Sequence, residues 1–146
     1  MGGSKTVSRP AAIAIGLGCR RGVPGEAITA LVKQAIAAWP PRVAWPPQAK
    51  LFTIEDKRDE AGMQQAAQAL GLELVFLPRD VLGKATAGVK THSPRAFARF
   101  GISSVAEAAA LAGAGPRAAL VVSRISARGV TCAIAAEATA MWERTP

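Results

Sequence analysis

The stretch AAIAIGLGCRRGVPGE, Ala11–Glu26, decides how the rest of the chain is read. Residues 11 to 17 form a short apolar run rich in Ala and Ile, the composition of a strand buried on both faces. The run ends on Gly16-Leu17-Gly18, and the glycines mark a turn. Pro24 then stands where a first helical residue lacks its N–H, Glu26 lies in the first turn, and Ile28, Leu31, Val32, Ala35 and Ile36 repeat at helical spacing. A strand, a glycine turn and a helix in this order open an α/β fold. Ordinary turn chemistry accounts for the glycines but not for Arg20 and Arg21, two adjacent full charges.

Outward from that unit, the helix is predicted to stop near Trp39, since Pro40 and Pro41 cannot continue it, and WPPRVAWPPQ reads as a rigid connection. KLFTI is a second strand that runs into six consecutive charges, Glu55–Glu60. Met63, Ala66, Ala67 and Leu70 mark a second helix closed by Gly71, and residues 72–77 form a third strand. From Pro78 to Thr91 the pattern weakens: PRDVLG reads as a helical turn and KATAGVKTHSP as a flexible loop. Ser93 or Ser103 is placed to cap the next helix, and VAEAAALAGAG is an alanine-rich helix stopped by glycine. Residues 118–124 and 129–135 read as two strands forming a hairpin. The order β-α-β-α-β-α-β-β predicts an α/β sandwich with a mixed sheet of about five strands, the hairpin supplying the antiparallel part.

The 146 residues suit one domain, read as residues 11–146 behind a flexible tail at 1–10. Two cysteines, Cys19 and Cys132, make no disulfide framework, which points to a reducing, cytoplasmic setting. No apolar run approaches the roughly 18 residues that span a bilayer, so no membrane partner is expected. The net charge of +8 predicts attraction to anions. Nucleic acid is not the expected partner, because the basic residues lack aromatic interleaving and form no named module.

In an open α/β sheet, ligands bind outside the carboxyl ends of the strands, where Gly16-Leu17-Gly18 leads into the arginines. A dinucleotide fingerprint would need glycine where Arg21 stands, and no Gly-Lys-Ser/Thr comes after it to make a P-loop. What remains is an anion cradle. Glycines admit close approach, a helix N-terminus offers free N–H groups, and each arginine can grip a carboxylate through two parallel hydrogen bonds. The competing reading has one arginine solvated and the other paired with Glu26 or Glu60. Lys57 and Glu60, after the second strand, reach the same rim if the two strands are neighbours. Cys19, beside two arginines and near a helix start, has the surroundings that lower a thiol pKa and make a nucleophile. Cys132 alternates within an apolar strand and reads as core. His92 lies alone in the weak loop, giving little support to a metal site or a Ser-His-Asp triad.

Four motifs in order, GLGCRRG before a helix, TIEDKRDEAGM, GISSVAEAAAL, and LVVSR with GVTCAIA, resemble the CobE family of cobalamin biosynthesis, which also forms the C-terminal domain of CbiG. The resemblance spans about Ala11 to Ala136. It implies a three-layer α/β/α sandwich and work on the corrin ring, with precorrin or corrin intermediates as ligand, other corrin-pathway enzymes as partners, and no cofactor or metal of its own. In the larger protein the associated reaction opens a lactone on a cobalt-containing precorrin and releases acetaldehyde, so a hydrolase acting on a precorrin lactone or acyl fragment is the alternative function. This chain looks like the stand-alone form. Carried across, the family's turn falls on Gly16, Gly18, Cys19, Arg20, Arg21 and Gly22. Its lysine-glutamate pair falls on Lys57 and Glu60, its helix start on Ser104, Val105, Glu107 and Ala108, and its strand threonine on Thr131. At Arg124 the chain departs from the family's more usual lysine, keeping the charge. Corrin precursors carry many acetate and propionate arms, which match a turn bearing two arginines; Lys57, Arg124 and Thr131 would extend the rim across the strand ends. Glu107 is open to two roles, a helix-dipole charge or a ligand contact.

Overall fold

The computed structural model describes residues 13–40 and 49–137; the tail at 1–10 and the proline-rich residues 41–48 lie outside the described residues. Strand β1 (Ile13–Cys19) is followed by helix α1 (Gly25–Ala37), β2 (Lys50–Ile54), a 3-10 turn (Glu55–Lys57) and α2 (Ala61–Leu70). Then come β3 (Leu74–Leu77), α3 (Arg79–Lys84), a second 3-10 turn (Thr86–Gly88), α4 (Pro94–Phe100), α5 (Val105–Ala114), β4 (Ala118–Ala127) and β5 (Val130–Glu137). The sheet order is β3-β2-β1-β5-β4. Strands β1, β2 and β3 are mutually parallel, while β5 is antiparallel to both β1 and β4. The mixed five-stranded sheet and its hairpin agree with the sequence reading.

Alternation along the central strands creates two different faces. Ile13, Ile15 and Leu17 of β1 join Val130, Cys132 and Ile134 of β5 in a core with Ile28, Leu31 and Val32 of α1 and Met63 and Ala66 of α2. The opposite residues, Ala14, Ala133 and Ala135, pack with Ala106, Ala110, Leu111 and Ala114 of α5. Helices thus cover both sides of the sheet, in three layers. Each fully buried Ile or Leu on the first face contributes about 2 kcal/mol of burial free energy, whereas the second face relies on close approach of backbones.

Strand β1 runs two residues past its expected end at Leu17. Gly18 and Cys19 pair with Thr131 and Val130 of β5, so a neighbour's backbone extends the strand where local glycine content argued for a turn. The weak stretch after Pro78 is also more ordered than a flexible loop. Leu82 of α3 is fully buried in a cluster with Val105, Ala108 and Ala109 of α5, and Pro94 starts a helix whose cap, Ser93, accepts from the Ala96 amide at 3.2 Å. Ser104, not Ser103, caps α5, accepting from the Glu107 amide at 3.2 Å. Gly71 closes α2 with φ +69°, as its position predicts. Among the described residues no helix is long and apolar enough to cross a membrane.

Candidate functional site

Beyond Cys19 the backbone leaves the sheet and turns into α1. The Arg20 amide donates to the Gly129 carbonyl at 2.8 Å, tying the end of β1 to the β4–β5 hairpin turn. Gly22 has φ +77°, a region that penalises any residue with a Cβ, and its N–H donates to Glu60 Oε1 at 2.9 Å. This turn projects both Arg20 and Arg21 into solvent. Neither has a carboxylate within ion-pair distance among the described residues. Glu26 pairs with Arg128 at 2.8 Å, and Glu60 is engaged by the turn backbone.

The two arginines form part of a concavity of about 470 Å³ at the carboxyl end of β1 and β2, between α4 and the β4–β5 hairpin. This is where an open α/β sheet places a ligand. Of the residues proposed from sequence, Gly18, Cys19, Arg20, Arg21, Lys57, Arg124 and Thr131 line it. Arg95, Arg99 and Arg128 line it too, so that seven Lys and Arg side chains surround the space and no Asp or Glu does, among the described residues. Only Arg128 of the seven has a carboxylate partner there. Phe100, Val105 and Val130 give the wall apolar surface, and the Arg99 guanidinium lies 5.2 Å from the Phe100 ring centre. A Cβ on Gly18 would stand 2.6 Å from Thr131 Oγ1, so the glycine makes room for that hydroxyl.

Five of the proposed residues lie off this wall and have other work. Gly16 faces α5, where a Cβ would collide with the Ala106 carbonyl and come within 2.6 Å of the Ala110 amide nitrogen; it sets the helix–sheet spacing. Gly22 and Glu60 form the turn hydrogen bond, and Ser104 is the buried cap. Glu107, fully buried, sits in the first turn of α5 as the helix-dipole reading expects, and its carboxylate is taken up by groups of the protein itself. Its Oε1 accepts from the Lys90 and Thr91 amides, and its Oε2 from the Thr91 hydroxyl and the Arg124 amide, at 2.8–2.9 Å. The β4–β5 register shifts between Val122 and Ile125, and in this irregular stretch the carboxylate serves the Arg124 amide. Burial acts to raise the carboxyl pKa, but the bonds from Arg124, Thr91 and Lys90 outweigh it and hold the group below the ordinary carboxylate value.

Two chemical expectations are corrected. The start of α1 does not line the concavity; the Gly25 amide instead meets Gln65 Oε1 of α2 at 3.3 Å. The Cys19 thiol is not activated. Burial pushes its pKa up to about 11, with Lys57 lowering it less and Glu60 adding to the rise, so at neutral pH it is protonated. Cys132 is fully buried in the core, and His92 is exposed, its Nδ1 3.0 Å from Ser103 Oγ. Arg95 and Arg99 were missed from sequence, although Ser93-Pro94 announces their helix and their spacing of four puts both on one side of it.

This arrangement can hold an anion of several charges across the strand ends. Comparison with known proteins gives it a setting. Residues 3–135 match the family described as cobalamin synthesis G C-terminus. The chain is 31% identical over 141 residues to protein CobE from Sinorhizobium sp., covering 97% of this chain and 90% of that protein. It is 30% identical over 103 residues to cobalt-precorrin-5A hydrolase from Priestia megaterium, covering 70% of this chain but 26% of the hydrolase. The crystal structure of CobE, a protein from the cobalamin (vitamin B12) biosynthetic pathway, superposes with a TM-score of 0.76 at 34% identity over 87% of this chain and 91% of that one. That of cobalamin biosynthesis protein chiG from Agrobacterium tumefaciens str. C58 gives 0.64 at 34% identity, covering 86% and 98%. The chain belongs to the CobE and CbiG C-terminal family of cobalamin biosynthesis.

Proposed function

We propose that the basic concavity binds a polycarboxylate precorrin or corrin intermediate and presents it to other corrin-pathway enzymes, assisting its conversion. The observation that carries this reading is the wall of seven cations without a carboxylate, six of them unpaired among the described residues. Cations crowded in one place repel each other, and an anion of matching charge relieves that repulsion. Each exposed contact is worth about 0.2–1 kcal/mol alone, so useful affinity comes from several arms engaged together, some through paired guanidinium hydrogen bonds. The volume lies in the range of small-molecule sites, about 300–1,000 Å³, and Phe100, Val105 and Val130 add apolar surface to the lining.

Titration of the purified protein with hydrogenobyrinic acid, followed by visible absorption, tests this. A saturable spectral change at micromolar concentrations that weakens with added salt is expected. No change with folded protein would overturn the reading.

The second reading, a hydrolase that opens a precorrin lactone or removes an acyl fragment, draws on the partial match to the Priestia hydrolase. It requires a nucleophile, either Cys19 or an activated water, and the protonated Cys19 is poorly suited to the part. Product release on incubation with a lactone-bearing precorrin, slowed by Cys19→Ser, is the result that would favour it.

A further inference from the structure

Arg20, Arg21, Arg95, Arg99 and Arg128 stand in solvent, but Lys57 does not. It closes the 3-10 turn after β2 and is only 5% exposed. Glu60, three residues on, gives its Oε1 to the Gly22 amide instead. Among the described residues no carboxylate lies within ion-pair distance of Lys57, and its ammonium makes no hydrogen bond. No fully buried side-chain nitrogen or oxygen is left without a partner among those residues, so Nζ keeps contact with the outside, and Lys57 lines the concavity. It shares that lining with Cys19, the last residue of β1.

An ammonium that has lost most of its water and has no anion beside it is costly to keep. Resting on the reading of the concavity as a polycarboxylate site, we propose that Lys57 is its specificity-determining cation, seating one free carboxylate arm at the inner end while the exposed arginines hold the others. Attraction to the exposed guanidinium groups is shared with water and screened by salt; attraction to a buried ammonium is screened far less. An arm capped as an amide or ester brings no negative charge and leaves that ammonium uncompensated. The ligand is therefore met before any reaction that amidates or esterifies the seated arm.

The test compares wild type, Lys57→Met and Arg21→Met by spectral titration with hydrogenobyrinic acid in about 0.05 M and about 0.5 M sodium chloride. Lys57→Met is expected to bind about 100-fold more weakly at both concentrations. Arg21→Met should lose about 5-fold in dilute salt and almost nothing in concentrated salt. The fully methylated ester of the same macrocycle should bind wild type no better than the acid binds Lys57→Met. Melting curves of the free proteins verify folding, and Lys57→Met should melt no lower than wild type because it removes an unpaired charge. Lys57→Gln repeats the titration should the methionine variant not fold. Equal losses for the Lys57 and Arg21 variants in concentrated salt, or tight binding of the ester, would overturn this inference and leave the polycarboxylate site standing. A wild type that does not bind the acid would overturn both.

Discussion

On one side of the sheet, Ile13, Ile15 and Leu17 of β1 interlock with Ile28, Leu31 and Val32 of α1. On the other, the same strand offers Ala14, Gly16 and Gly18 toward α5, and β5 adds Ala133 and Ala135. The first side gains its stability from the bulk of its side chains. The second gains it from their smallness, which lets a helix of alanines lie against the strands and lets the Glu107 carboxylate reach three backbone amides. Damage should obey opposite rules on the two sides, loss of atoms on the first and gain of atoms or loss of polar partners on the second.

The sharpest contrast is at adjacent residues. Gly16→Val should abolish folding, because even its Cβ meets the backbone of Ala106 and Ala110, which cannot give way as a flexible side chain can. Soluble expression and circular dichroism would decide this; a folded valine variant would break the comparison. Ile15→Ala, one residue away on the other face and fully buried, should fold but lose about 3 kcal/mol in urea denaturation.

Glu107→Gln should come next, at about 2 kcal/mol at neutral pH, since an amide presents a donor where N–H and O–H groups already point. The pH dependence has a definite sign. The folded-state value lies below the ordinary 4.5, so the unfolded chain takes up this proton first as pH falls. Stability from this carboxylate is present above that value and is lost as pH drops from 4.5 through the folded one. The gap between wild type and Glu107→Gln should close over that range, and a gap that widened would contradict the hydrogen-bond account. Ser104→Ala is the mildest, removing one cap contact to the Glu107 amide at about 1 kcal/mol, or about 3 °C in melting temperature.

The order of elements was legible because each carries its own signal: alternation in LELVFL, helical spacing behind Pro24, a closing glycine at Gly71. The mixed sheet came from two apolar runs separated by a tight turn. What local pattern could not show was contact between distant segments. Strand β1 extends to Cys19 because Val130 and Thr131 lie beside it. Arg95 and Arg99 join the site because α4 lies at the end of the strands, and nothing in SPRAFARF says where its arginines will point. The arginine turn was found because two charges among glycines are out of place as turn chemistry. The role of Glu107 was hidden because three of its four partners are backbone amides, which leave no mark on a sequence. Lys57 was marked by its place after the second strand and again by resemblance; its isolation depends on Glu60 having taken another partner.

The pairing of Ile13 with Ala136 joins the first described strand to the last, in the middle of the sheet. During synthesis β1 leaves the ribosome more than a hundred residues before the strand that will lie along its open side. Closure of so long a loop is slow, and until it happens the nascent chain exposes an unsatisfied strand edge beside Ile13, Ile15 and Leu17. Strand β5 is thus the seal of the molecule, and a chain cut before Val130 would be left with a hydrophobic edge open to aggregation.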